Sequence, residues 1–128
     1  LREKDFRAYL AEVDWSIFAD KHVNFYCSAD AVIPGWAWLL LGIALEPYAR
    51  TLVYGRAEDL EKEIWRKVLE RIDFTTFEGK KIVVKGCGDI EIPQATFVEL
   101  IRRLRPVANK LMYGEPCSTV PLYRKSKN

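Results

Sequence analysis

The chain has 128 residues, of which 49% are hydrophobic and 30% are charged, and its formal net charge is +2. This length is typical of one folded domain with a single core, so we expect residues 1–128 to form one domain. So small a net charge does not favour nucleic acid or an anionic membrane as a partner. The most apolar stretch, 36–45, has about half the length that a membrane span requires.

The sequence contains an internal repeat. Residues 14–55 align with residues 73–114 at a constant offset of 59, without a gap, and 13 of the 42 aligned pairs are identical. Unrelated segments of this length would share roughly two or three identities by chance, so a match at a fixed period indicates one structural unit used twice.

The predicted elements of the first copy follow a short opening helix at 5–13. A strand at 22–27 is rich in aromatic and β-branched residues. A largely apolar helix at 35–50 begins after Pro34, which suits a first helical turn, and we expect it to end or kink near Pro47. A short strand at 51–54 closes the copy.

The second copy repeats this order. An amphipathic helix at 57–72 connects the copies and has apolar residues at helical spacing. A strand at 81–85, a loop at 86–92, a helix at 93–109 and a strand at 110–113 then follow. Each copy therefore predicts a βαβ unit with parallel strands and a right-handed crossover.

The two copies together predict an α/β fold. We expect a mainly parallel four-stranded sheet in the order 2-1-3-4, flanked by helices, with the first strands of the two copies side by side. The strand order reverses between those strands, and open α/β sheets bind ligands at such a point, beyond the carboxyl ends of the strands. The basic tail at 124–128 is predicted to be disordered.

Three cysteines fall at the predicted carboxyl edge of this sheet. Cys27 ends the first strand, Cys87 follows the third, and Cys117 follows the fourth. The equivalent residues Asp30 and Asp89 lie on the loops after the first and third strands. Neighbouring strands are about 4.8 Å apart, so we expect the thiols to converge. Cys27, Cys87, Cys117 and Asp30 then predict a site for zinc, iron or an iron–sulfur cluster.

A thiol-based reaction is the second hypothesis, and the sequence leaves open whether the protein is an enzyme. The glycines on both sides of Cys87 allow a ligand to approach the backbone closely. Thiols near helix N-termini ionise more readily, so Cys87 is the candidate nucleophile for thiol or sulfur-transfer chemistry, with Asp89 as its orienting group. Structural explanations compete, because cysteine often only fills core volume and an aspartate before a helix often caps it.

A third hypothesis is an interaction module in which the cysteines are structural. The apolar helix at 35–46 would then form a homodimer interface. An odd number of cysteines argues against a complete set of disulfides and favours the reducing cytoplasm.

Three segments resemble the signature segments of a bacterial family known as domain of unknown function 2480. They are CSADAVIP at 27–34, KGCGD at 85–89 and YGEPCSTVPLY at 113–123. The resemblance covers essentially the whole chain, and it implies that the cysteine-bearing segments match at all three positions. It also implies a further segment upstream of Leu1 in the natural protein. The family has no assigned activity. The resemblance implies a gene that often neighbours iron–sulfur assembly genes, which favours a thiol-based role and suggests iron–sulfur assembly proteins as partners.

Overall fold

The computed structural model describes residues 1–86, 88–115 and 118–127. Its helices are α1 (Glu3–Glu12), α2 (Gly35–Leu45), α3 (Ala57–Glu70) and α4 (Gln94–Leu104). Its strands are β1 (His22–Phe25), β2 (Thr51–Tyr54), β3 (Lys81–Lys85), β4 (Lys110–Glu115) and β5 (Ser118–Arg124). Short 3₁₀ turns at Trp15–Phe18 and Phe74–Phe77 precede β1 and β3.

The chain divides into two compact units, Leu1–Trp65 and Arg66–Asn128. Each unit contains one βαβ segment, β1-α2-β2 in the first and β3-α4-β4 in the second. The strands pair in parallel within each unit, as the alternation of elements predicts. The bounds of α2 and α4 differ by 59 residues at both ends, which is the offset of the sequence repeat.

The first unit packs α1 and a two-stranded sheet against α2. The ring of Phe6 on α1 meets the edge of Trp36 at 5.9 Å between centroids. Ala37, Leu45 and Thr51 are its buried residues among those described. The apolar side of α2 that carries Ala37 and Leu45 therefore forms the core of this unit.

The second unit has the larger core. Val84, Leu104, Ala108 and Leu111 form a buried cluster between α4 and the sheet. α4 folds as an amphipathic helix because its apolar residues recur at helical spacing and its charged residues lie on the other side.

The predicted four-stranded sheet in the order 2-1-3-4 is wrong. The described residues form a two-stranded sheet, β1-β2, and a three-stranded mixed sheet, β3-β4-β5. β5 runs antiparallel to β4 and occupies the edge that the prediction left open. The similarity of the two copies predicts the fold of each copy. It does not predict whether β1 of one copy pairs with β3 of the other.

The predicted disordered tail is also partly wrong. Arg124 ends β5, and the backbone N–H of Lys125 donates to the carbonyl of Asn109 at 2.7 Å. Two prolines in 116–121 argue against a strand, but proline is tolerated at a sheet edge, where Pro121 lies.

The helix α2 ends close to Pro47, as predicted, whereas α4 ends earlier than the predicted residue 109. α2 ends at Leu45 and α4 at Leu104, two residues before Pro47 and Pro106. Glu46 and Arg105 still have helical backbone angles, but proline has no backbone N–H and cannot continue the helical hydrogen bonds, which stops both helices at the equivalent point. Within the described part of the chain, no helix combines the length and the apolar character that crossing a membrane would need.

Candidate functional site at the carboxyl end of β3

A cleft of about 710 Å³ opens where β3 ends in the second unit. Its walls come from the end of β3, from the loop that leads to α4, and from the first turns of α4. The described residues that line it are Lys85, Gly86, Gly88, Asp89, Ile90, Glu91, Ile92, Gln94, Phe97 and Tyr113. It is thus built from the same loop that the sequence singled out around Cys87.

Aromatic rings from α4 and β4 form the apolar part of the cleft. Phe97 meets Tyr113 edge to face, with 6.0 Å between ring centroids. The Tyr113 hydroxyl lies against the backbone of Gly86, because an ideal Cβ on Gly86 would be 1.8 Å from the phenol oxygen. Gly86 is therefore required so that this ring can approach the end of β3.

The polar part of the cleft carries both signs of charge. Lys85, Asp89 and Glu91 line it and are all exposed. Gln94 adds an amide at the first position of α4. These groups can orient a polar ligand, and the carboxylates can also coordinate a cation.

The capping explanation for the two aspartates is wrong. Pro34 and Pro93 hold the N-cap positions of α2 and α4, and no described side chain caps either helix. Asp30 is exposed, and Asp89 faces the cleft.

The chain segments that flank Cys87 and Cys117 meet at Gly114. Gly114 pairs with Lys85 on one side and with Thr119 on the other. Its carbonyl also accepts a hydrogen bond of 2.9 Å from the N–H of Gly86. Residues 116 and 117 alone connect β4 to β5, since Glu115 already pairs with Ser118.

Only some of the predicted site residues lie among the described residues. Cys87 and Cys117 lie outside the described residues. Cys27 is half-buried in the first unit, where its Sγ donates to the carbonyl of Ala29 at 3.3 Å. It borders a small pocket of about 240 Å³ that is lined mostly by apolar side chains, including that of Trp38. Among residues 1–86, 88–115 and 118–127, no three His, Cys, Asp or Glu side chains come together to hold a metal ion.

The strongest electrostatic perturbation in the second unit is on α4. Glu99 accepts hydrogen bonds from Arg102 at 2.6 and 2.9 Å and from Arg103 at 3.0 Å. These bonds lower the pKa of Glu99 from 4.5 to about 2, and the Glu99 carboxylate raises the pKa of Arg102. None of the three lines the cleft described above, so this cluster belongs to the helix surface.

A family model described as a protein of unknown function, DUF2480, matches residues 1–125. The chain belongs to the DUF2480 family. No curated protein and no solved structure matches it. The function of this DUF2480 protein therefore has to be argued from its own residues.

The sequence did not single out the aromatic pair of the cleft. Tyr113 is identical to its repeat equivalent Tyr54, and Phe97 matches Trp38. Trp38 and Tyr54 also meet edge to face, at 4.9 Å between centroids. The identity of the two tyrosines was thus a signal for a ring at the carboxyl end of each βαβ segment.

Proposed function

We propose that this protein binds a metal ion or an iron–sulfur species through Cys87 and Cys117 at the carboxyl end of β3. The observation that supports this proposal is the pairing of Gly114 with both flanking segments. Cys87 follows Gly86 directly, and Cys117 precedes Ser118 directly. Because consecutive Cα atoms are about 3.8 Å apart, we expect both cysteines to be able to reach the end of β4.

One shared ion requires the two thiols to meet at the end of β4. Two thiolates on one tetrahedral zinc ion lie about 4 Å apart, since each Zn–S bond is about 2.3 Å. β3 and β5 lie on opposite sides of β4, so the two strands are about 10 Å apart, which is two strand spacings. Binding one ion therefore requires both thiols to turn towards the end of β4.

A carboxylate of the cleft completes the ligand set. Asp89 and Glu91 both line the cleft beside the Cys87 loop. Three protein ligands and one open position are the arrangement of reactive zinc sites, whereas four protein ligands form closed structural sites. Thiolate ligands need to stay reduced, which fits a cytoplasmic protein that receives iron or sulfur from assembly proteins.

The test is metal analysis of protein purified without oxygen. We expect stoichiometric zinc or iron in the wild type and its loss in Cys87→Ser and Cys117→Ser. Cys27→Ser is the matched control, because its thiol already bonds the neighbouring Ala29 carbonyl and we expect the metal to remain. If Cys27→Ser also lost the metal, Cys27 would be a metal ligand, as the sequence predicts. Wild-type protein that stays metal-free after loading with zinc and with iron would refute the proposal.

The size of the cleft favours a second candidate, thiol or sulfur-transfer chemistry at Cys87. A volume of about 710 Å³ lies within the range of small-molecule sites, roughly 300–1,000 Å³, and exceeds what an ion needs. In this case Cys87 is the nucleophile and Asp89 orients it or its substrate.

Alkylation kinetics separate this candidate from metal binding. We expect metal-free protein to react with iodoacetamide at Cys87 about ten times faster than at Cys27 near neutral pH, because a nucleophilic thiol is partly ionised there. Asp89→Asn should change the rate at Cys87 and leave Cys27 unaffected. Equal rates at the two thiols would exclude the nucleophile.

A further inference from the structure

The helix α2 is apolar on all sides, although only part of it faces a core. Ala37 and Leu45 on its inner side are each 2% exposed, whereas Leu39 and Ile43 are each 70% exposed. The outer positions follow helical spacing, and we call them the α2 outer stripe, which consists of Gly35, Leu39, Gly42, Ile43 and Glu46. Gly42 is half-buried and the other four are exposed. A surface helix normally carries polar residues on such a face.

The second unit supplies an internal comparison. The residues of α4 equivalent to the α2 outer stripe are Gln94, Val98, Ile101, Arg102 and Arg105. α4 has the same length as α2 and the same position in its βαβ segment, yet three of these five residues are polar or charged. The fold of the unit therefore does not require an apolar stripe, and α2 carries it for another reason.

The stripe continues into a wider apolar surface. It borders an open depression of about 660 Å³ that Phe25, Leu52 and Tyr54 also line. Tyr54 is 64% exposed. Together with Leu39 and Ile43 it leaves roughly 400 Å² of surface exposed, comparable with the largest apolar patch of a typical monomer. One partner of a standard protein interface contributes about 800 Å², so these three side chains would supply about half of it.

We infer that the α2 outer stripe is a homodimer interface in which two α2 helices pack antiparallel across a two-fold axis. Large and small residues alternate on the stripe. An ideal Cβ on Gly35 or on Gly42 would have no atom within 4 Å, so each glycine leaves a hollow beside Leu39. If the helices cross between positions 39 and 42, each Leu39 faces the hollow of the partner's Gly42. A two-fold interface requires one patch to be complementary to itself, and this alternation meets that requirement.

The charge on the stripe favours the antiparallel orientation. Glu46 is the only charged residue on the α2 outer stripe and lies at its C-terminal end. In the antiparallel pair, Glu46 lies opposite the partner's Gly35, at the solvent-exposed rim. A parallel pair would bring the two Glu46 carboxylates together, and like charges in contact destabilise an interface. The α2 outer stripe contains none of the residues of the proposed cysteine site.

Sedimentation equilibrium of the whole chain over a range of micromolar concentrations tests the interface. We expect the wild type to be dimeric and Leu39→Glu to weaken dimerisation by about 100-fold or more, because an unpaired charge would be buried. Val98→Glu is the matched control. Val98 is the repeat equivalent of Leu39 and is 68% exposed, so we expect its substitution to leave the dimer unchanged. A monomeric wild type, or equal weakening by both substitutions, would overturn the inference.

The substitution Gly42→Leu distinguishes packing of Leu39 into a hollow from non-specific apolar association. Leucine favours a helix more than glycine does, so this variant should stay folded, and it adds apolar surface. Packing of Leu39 over the partner's Gly42 predicts that Gly42→Leu weakens the dimer at least 10-fold. An unspecific apolar contact, or an interface formed by another face, predicts tighter or unchanged association, and either result would refute the antiparallel pair.

Discussion

Gly86 has no room for a side chain, so substituting it tests the contact between Gly86 and Tyr113 in the cleft. The methyl group of Gly86→Ala would collide with the Tyr113 phenol, since the ideal Cβ lies 1.8 Å from its oxygen. We expect the free energy of unfolding to fall by about 1–3 kcal/mol, as for other overpacked sites. Gly88→Ala is the control, with no atom within 4 Å of its Cβ, and should change it by less than about 0.5 kcal/mol. Urea denaturation measures both.

The cause can be isolated with a double-mutant cycle. In a Tyr113→Ala background the collision is absent, so Gly86→Ala should lose most of its effect. If the full loss persisted there, its cause would be strain in the backbone of Gly86 and not a collision with the Tyr113 ring.

Glu99 predicts a specific dependence of stability on pH. Hydrogen bonds from Arg102 and Arg103 lower its pKa from 4.5 to about 2. Since the pKa is lower in the folded state than in the unfolded state, the carboxylate stabilises the fold above pH 4.5, and this contribution is lost as the pH falls from 4.5 towards 2. We expect Glu99→Gln to be less stable than the wild type at neutral pH, with the difference vanishing near pH 2.

Urea midpoints over this pH range measure the effect. Glu99 lies at the helix surface, so high salt should also reduce the difference at neutral pH. A difference that stayed constant from neutral pH to pH 2 would show that the ion pairs of Glu99 are not its cause.

At the scale of single elements, β2 and β4 occupy equivalent places but differ in burial. Leu111 on β4 is 0% exposed, whereas its repeat equivalent Leu52 on β2 is only half-buried. We expect Leu111→Ala to lower the free energy of unfolding by about 2–5 kcal/mol, because the surrounding core does not fully close the cavity that the removed side chain leaves. Leu52→Ala should cost distinctly less, since its side chain removes less area from water. Denaturation followed by circular dichroism would contradict this if both losses were equal.

The elements could be predicted because proline and periodicity act locally. Pro34 and Pro93 precede α2 and α4, and Pro47 and Pro106 follow them. The parallel pairing of β3 with β4 follows from the short helical crossover between them. β5 could not be predicted in the same way, because Pro121 argues against a strand unless that strand is known to lie at an edge.

Only part of the candidate site could be predicted from the sequence. The position of Cys87 after β3 directed attention to the loop that lines the cleft. The contact of Tyr113 with Gly86 depends on a ring from another strand crossing a bare backbone. Neither composition nor local spacing predicts such a contact. The one sequence signal for the ring is that Tyr54 and Tyr113 are identical at equivalent positions of the two repeats.

At the scale of the whole molecule, the two copies of the repeat differ in structure outside their shared βαβ segment. The second unit has a compact core, a third strand and a cleft beside charged residues. The first unit keeps the βαβ segment but exposes apolar side chains on α2 and β2. The sequence repeat predicts what the units share, and the substitutions between the copies account for where they differ in burial and in exposed surface.

This asymmetry predicts unequal hydrogen exchange in the two sheets. β4 is bonded on both edges, by β3 and by β5, and it carries Leu111 of the buried cluster. β1 and β2 form a two-stranded sheet among the described residues, and such a pair is only marginally stable without further strands or packing. Local opening of β1 and β2 should therefore need less free energy than opening of β4, and the amides of β1 and β2 should exchange faster.

Hydrogen–deuterium exchange with mass spectrometry measures this difference at the peptide level. Leu111→Ala provides the control, because it should accelerate exchange in β3 and β4 far more than in β1 and β2. Dimerisation through the α2 outer stripe would add protection, and Leu39→Glu removes that contribution. If β1 and β2 were as well protected as β4 in Leu39→Glu, the first unit would be stabilised by contacts other than those of its own small core, and the asymmetry of the two units would not extend to their stability.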